Sequence, residues 1–335
     1  MTQDTARAWL NGLAGIVPTP DEYVRFDVDR EAALGILRCS KDVLDLLVRE
    51  GLRQRTVGGR MLFDDSDIRN VATNSGLGTS VPELVQRYVF RFVTGDPSGW
   101  ISPQTWTVRN LAACLESPDC AGDWAFAPLV CEQFGGRARD TRTVVGAEAA
   151  AGGESVDGRV PLARFDATVH LTGEVRRIRD PLVREAFRES LDEMLTGRLR
   201  YQAMPTALRN DPAAARANGT VNCISVSLHL QQVFTEAGIR SRTRKGYVVG
   251  MLGSEHSWVE VLEDGLWKVV DPVYALLGLQ QGAPEDYVEF CLGSILNRLI
   301  PCDGPADAET VRHQHQGATA PTRNVIVTKP VKETG

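Results

Sequence analysis

Cys223, His256 and Asp271, in that order along the chain, are the residue types that a thiol-based acyl-transfer site requires. A thiolate attacks a carbonyl, an imidazole carries the proton, and a carboxylate holds the imidazole in position. Cys223 opens the run NCISVSLHLQQVFTEAGI, in which Ile224, Val226, Leu228, Leu230 and Val233 precede a stop at Gly238. This pattern predicts a helix with the thiol in its first turn. The N–H groups of a first turn have no intrahelical acceptors, and with the helix dipole they favour a thiolate, whose unperturbed pKa is ~8.5. The Cys223 N–H itself can serve a carbonyl oxygen as negative charge develops on it.

His256 begins HSWVEVLEDGLWKVVDPVY, two alternating runs separated by Glu263-Asp264-Gly265. A hairpin is expected, with His256 near the start of one strand and Asp271 at the end of the other. Antiparallel pairing brings those ends together, and the carboxylate is expected at Nδ1 with Nε2 turned to the thiol. Singly, a buried cysteine is more often a small hydrophobe and a strand histidine a satisfied structural residue. The three in order make catalysis the stronger reading.

Further residues frame these three. Arg200-Tyr201 is read as ending a helix, Gly219 lies four residues before Cys223, and the Cys223 helix closes at Ala237-Gly238-Ile239. Arg242, Gly246-Tyr247, His256-Ser257-Trp258-Val259-Glu260-Val261, Trp267 and Asp271-Pro272 follow. In these elements the stretch from about Leu199 to Tyr274 resembles the core of the transglutaminase-like superfamily. That is a papain-related fold used by transglutaminases, some bacterial peptidases and amide synthases. The resemblance covers about a quarter of the chain and implies Cys223 as nucleophile, His256 as general base and acid, and Asp271 as orienting carboxylate. Asn222 and Ile224 beside the cysteine, and Ser257 after the histidine, depart from the common pattern and point to an unusual substrate pocket. Asn222, Arg242 and Trp258 are the substrate-binding candidates. Arg240, Arg242 and Arg244 alternate on one strand face, where they either bind an anionic substrate group or form a solvated edge.

The elements before this core read differently. Asp27 or Asp29 can cap a helix over REAALGILR, a second helix follows over KDVLDLLVREG, and RQRTVGGRMLF suggests a hairpin around Gly58-Gly59. Asp64-Asp65-Ser66-Asp67 then starts another helix. From about Val28 to Val71 this resembles a winged helix-turn-helix of the MerR or excisionase type, which implies DNA binding through Lys41, Arg49, Arg55 and Arg60. Charge argues against it. Asp27 to Arg69 holds eight Arg or Lys and nine Asp or Glu, and carboxylates near phosphates are repelled. The alternative is a small module docked on its own enzyme domain or on a protein partner.

The 335 residues, 43% hydrophobic and 24% charged, suit about two soluble domains. A net charge of −6 disfavours broad binding to nucleic acid or anionic membrane. No apolar run approaches the ~20 residues of a membrane span, and the N-terminal sequence lacks a secretory pattern. With seven cysteines in no framework spacing, a cytoplasmic address is expected. Cys114, Cys120 and Cys131 form no CxxC, and His313 and His315 with Cys302 are too few ligands, so no metal and no cofactor are expected.

The fold class expected is α+β: a winged helix-turn-helix-like module over 1–95 and a papain-like transglutaminase domain over 96–302, its core at about 199–274. In that core a helix carrying the cysteine packs on an antiparallel sheet. Residues 303–335 read as a tail, partly disordered, with a short strand over Asn324 to Val327. One or two helices are expected between Trp100 and Val144, a mobile loop over Gly146 to Gly158, and an exposed, alternating strand over RFDATVHLTGEVRRI. The expected activity is cysteine-dependent acyl transfer on a peptide, amide or thioester, with water or an amine as acceptor. The alternatives are a DNA-binding regulator or a binding protein whose transglutaminase-like domain is not catalytic.

Overall fold

The computed structural model describes residues 3–120, 122–151, 153–250 and 252–331. Expectations touching the first two residues, Gly152 and the last four residues fall outside it. The protein combines helices with antiparallel sheets, an α+β arrangement. Its packing forms two units, Met1–Arg87 with Glu189–His229 and Tyr88–Arg188 with Leu230–Gly335.

The first unit begins with α1 (Gln3–Ala14), β1 (Phe26–Asp29), α2 (Arg30–Leu37), α3 (Lys41–Arg49), β2 (Gln54–Val57), β3 (Arg60–Asp64) and α4 (Asp65–Asn74). The strands form a small antiparallel sheet in the order β1-β3-β2. Local chemistry fixes these boundaries. The Asp29 carboxylate accepts from Ala32 N at 2.9 Å and Asp64 from Asp67 N at 3.1 Å, each capping a helix start. Gly58 and Gly59, both at positive φ, make the β2–β3 turn. Trp9, Leu37, Leu44, Leu47, Phe63 and Ile68 fill the core between them.

That core is tied to the segment leading to Cys223. Gln202 Nε2 donates to Val17 O at 2.7 Å while its Oε1 accepts from Val17 N at 3.1 Å. Asn70 Nδ2 donates to Ala203 O at 3.0 Å and its Oδ1 accepts from Ala203 N at 2.7 Å. Two buried amides thus pair with backbone as a strand would, each bond worth about 0.5–1.5 kcal/mol net. Arg200–Tyr201, expected at a helix end, instead pairs in parallel with Thr220–Val221.

In the second unit a nine-stranded sheet is built around Leu252–Glu263, the strand carrying His256. Ser241–Val248 pairs with its residues 254–261, and Leu266–Val270 pairs from Val259 onward through the expected hairpin. Asp264 and Gly265 turn that hairpin at φ 56° and 75°, the left-handed pair of a tight two-residue turn. Residues 254–258 therefore pair with one neighbour only, among the described residues, and His256 lies in this half-open stretch.

Three expectations are corrected. Trp100 to Val144 forms strands, Gln104–Cys114, Trp124–Phe126 and Arg137–Val145, with single 3-10 turns rather than helices. Gln104–Cys114 is paired on both edges by residues distant in sequence, which overrides its local helical pattern. Thr322–Pro330, read as tail, is a full strand between Gln104–Cys114 and the start of the His256 strand. The described part of 146–158 is anchored by Ala149 and Val156, both buried. The strand Ala163–Leu171 has the expected alternation, with Phe165, Ala167, Val169 and Leu171 buried, but it is paired on both edges and none of its residues is exposed. Among the described residues no helix is long and apolar enough to cross a membrane.

Gly246 stands directly opposite His256. A methyl there would overlap Ile300 O and lie 2.6 Å from the Trp258 ring. Gly246→Ala is expected to cost about 1–3 kcal/mol by overpacking. Urea denaturation checks this: the midpoint falls while the slope is unchanged.

Candidate functional site

Cys223 is the first residue of the helix Cys223–Glu236. Asn222 makes that start. Its Oδ1 accepts from Ser225 N at 3.0 Å, and the Ser225 hydroxyl accepts from Asn222 N at 3.0 Å, a reciprocal cap. The cap fixes the turn from the Thr220–Val221 strand into the helix and leaves the half-buried thiol at the positive end of the dipole. Asn222, a substrate-binding candidate from sequence, thus spends its side-chain oxygen on the helix.

His256 and Asp271 meet as the hairpin requires, at 2.6 Å, both almost fully buried. The nitrogen differs from expectation: Nε2, rather than Nδ1, faces Asp271 Oδ2. The reason is local. Asp271 caps the helix Pro272–Gln280, its Oδ1 accepting from Tyr274 N at 2.8 Å, and Asp271 N donates to Cys291 O at 3.0 Å. These bonds fix the carboxylate, and the ring offers its far nitrogen to the remaining oxygen. Tyr274 and Trp258 flank the imidazole at ring-centre distances of 5.6 and 6.0 Å. Asp271 thus N-caps a helix and hydrogen-bonds an imidazole, both within buried surroundings.

Four thiols are held in their protonated form by burial. Burial pushes Cys39 up to about 11 and Cys131 and Cys302 up to about 12, the carboxylates of Glu132 and Glu255 adding to the last two. Burial, then the Asp271 carboxylate, holds Cys291 well above the ordinary thiol range. These four stay protonated at neutral pH.

Arg240 of the arginine face is exposed, whereas Arg242 and Arg244 turn onto a buried acid. Arg242 and Arg244 lie across from Glu260 and Trp258. Glu260, wholly buried, accepts from Arg242 Nε at 2.5 Å, Arg244 Nε at 3.1 Å and the Trp258 indole at 3.1 Å. Arg242 also lies over the Trp267 ring at 4.0 Å. Arg242 and Trp258 are engaged in this network, which braces the two strands nearest His256. The alternation was legible in sequence. The buried acid across the ladder was not.

Lys41 and Arg49 sit at the two ends of α3, Arg55 on β2 and Arg60 on β3, all exposed. Asp42 is exposed beside Lys41, and Arg55 lies over the Phe26 ring at 4.6 Å. The cysteine and histidine grouping differs from the one weighed in sequence. His313 and His315 stand beside Cys114 and Cys120, with one donor atom from each within 4.8 Å of the others. Cys302 packs elsewhere, with Cys131 and Tyr247. Four side chains in two distant pairs carry no spacing signature.

No family model matches the chain, and none of the curated proteins does. Among solved structures, a protein from Cytophaga hutchinsonii proposed to be a cysteine protease aligns over 70% of this chain and 93% of its own, at 9% identity and TM-score 0.35. A TGase structure aligns over 67% of this chain and 64% of its own, at 11% identity and TM-score 0.21. At such similarity the chemistry has to be argued from the residues.

The two duties of Asp271 can be separated. Asp271→Asn retains a capping oxygen and is expected to keep most of the stability, whereas Asp271→Ala loses about 0.5–2 kcal/mol with the cap. Thermal and urea unfolding of the two variants checks the order. Glu260→Ala leaves Arg244 buried without its partner and is expected to cost about 3–5 kcal/mol, read as a drop in the same midpoints.

Proposed function

We propose that the protein is a cysteine-dependent acyl-transfer enzyme acting on an amide or thioester, with peptides among its substrates. The observation that carries this reading is the buried His256 Nε2–Asp271 Oδ2 bond at 2.6 Å. Packing alone has no need for a desolvated imidazole–carboxylate pair, and a proton carrier does. The capped helix start at Cys223 supports the nucleophile, and the resemblance of Leu199 to Tyr274 to the transglutaminase-like superfamily supports the assignment of roles.

In this mechanism His256 Nδ1 takes the Cys223 proton and the thiolate attacks the carbonyl carbon. The Cys223 N–H and a second donor hold the tetrahedral oxyanion. The imidazolium, steadied by Asp271, returns its proton to the departing amine or thiol, leaving a Cys223 thioester. Water or an amine, deprotonated by the same Nδ1, then resolves the acyl-enzyme, giving hydrolysis or a new amide. The N-terminal module supports the enzyme rather than reading DNA. The Asn70 and Gln202 pairings, and the balance of acids and bases around α3, favour that role.

Iodoacetamide labelling across pH, mapped to each cysteine by mass spectrometry, tests this. Cys39, Cys131, Cys291 and Cys302 give little background, being protonated throughout. Cys223 is expected to alkylate selectively well below pH 7 and to lose that advantage in His256→Ala. Reaction of Cys223 like an ordinary thiol of pKa ~8.5 would remove the reading, and salt-sensitive DNA affinity would then favour a regulator.

A further inference from the structure

Cys114, Cys120, His313 and His315 converge on one point at the far end of the second unit's sheet. Cys114 ends the strand Gln104–Cys114, Cys120 lies in the turn that follows, and the two histidines alternate on one face of the strand Val311–His315. The Cys120 Sγ is 3.0 Å from His313 Nε2 and 2.8 Å from His315 Nδ1, and all four donor atoms lie within 4.8 Å of one another. A tetrahedral zinc ion, bound at ~2.3 Å by sulfur and ~2.0–2.1 Å by nitrogen, needs its donors about 3.3–3.8 Å apart. The set reaches that spacing by side-chain adjustment of an ångström or less.

The surroundings fit an ion better than four neutral side chains. Cys114 and His313 are 1% exposed and Cys120 8%. The His313 Nδ1 is 2.9 Å from Asp123 O; as donor to that carbonyl it directs the Nε2 lone pair at Cys120, the outer-shell arrangement that fixes a ligating imidazole. Trp124 stacks on the same ring at 3.8 Å and 15°, closing that side against water. Two thiols with two imidazoles are a borderline-soft donor set, matched to zinc rather than to calcium or magnesium.

We propose that these four residues bind one Zn²⁺, as thiolates of Cys114 and Cys120 and through His313 Nε2 and His315 Nδ1. Binding releases the two thiol protons to solvent. Protein groups fill all four positions, so the ion is structural. It joins stretches of chain 193 residues apart, from Cys120 to His313, and so closes a long loop. The strand Thr322–Pro330 leaves this knot with Thr322 paired to Cys114, and its Ile326 and Val327 pair with Gly253 and Leu252, the first residues of the His256 strand. The site is independent of the proposed acyl transfer, since it uses neither Cys223 nor His256.

The test is metal analysis of the full chain purified without chelator, followed by titration of stripped protein with Co²⁺. The expected result is about one zinc per chain, lost in Cys120→Ser and in His313→Ala but retained in Cys39→Ser. Co²⁺ should produce tetrahedral ligand-field bands with thiolate charge transfer, and Zn²⁺ should abolish them. Stripping zinc should lower the melting temperature of the parent protein, and re-adding Zn²⁺ should restore it. The Co²⁺ titration uses the parent chain, so a variant that fails to fold leaves the test intact. The proposal is overturned if the parent chain carries no zinc and gives no tetrahedral Co²⁺ spectrum. It is overturned equally if its native form holds a Cys114–Cys120 disulfide.

Discussion

Asp271 has two carboxylate oxygens and each is committed. Oδ1 closes the first turn of the helix Pro272–Gln280 and Oδ2 holds the imidazole of His256. Because the group is buried, neither oxygen is shared with water, and the angle of the imidazole is inherited from a helix start. The half-open stretch of the His256 strand admits this arrangement. Had the Leu266–Val270 strand continued alongside residues 254–258, its backbone would have taken the space that the carboxylate uses. The site therefore depends on where one ladder stops.

The geometry of the candidate site was legible in sequence wherever it followed from local rules. The Cys223 helix start, the Asp264-Gly265 turn and the meeting of His256 with Asp271 all rest on short-range patterns of period and turn chemistry. What escaped was set by partners far along the chain. Which imidazole nitrogen meets the acid depends on a cap that sequence assigned no such duty. The strand Gln104–Cys114 looked helical because its flanking strands lie some fifty and two hundred residues away. The Arg242 and Arg244 alternation was visible, but Glu260 could be recognised as their counter-ion only once the register was known.

Asn70 and Gln202 show a second kind of dependence. A side-chain amide that pairs with both the N–H and C=O of another segment imitates a strand, and it fixes distance and direction together. Two such amides make the N-terminal helices and the approach to Cys223 a single body. Compositional boundaries fail here because the first unit is assembled from both sides of an inserted stretch, and insertion leaves no mark in local hydropathy.

This interleaving also sets an order of events during synthesis. Asn70 leaves the ribosome 133 residues before Ala203, its partner. At about 5–20 residues per second the wait is on the order of ten seconds, far longer than a small helical module needs to collapse. Throughout that interval the face bearing Asn70 is exposed to water, and the backbone it will clasp has not been made. The segment leading to Cys223 thus arrives at a surface already folded to receive it.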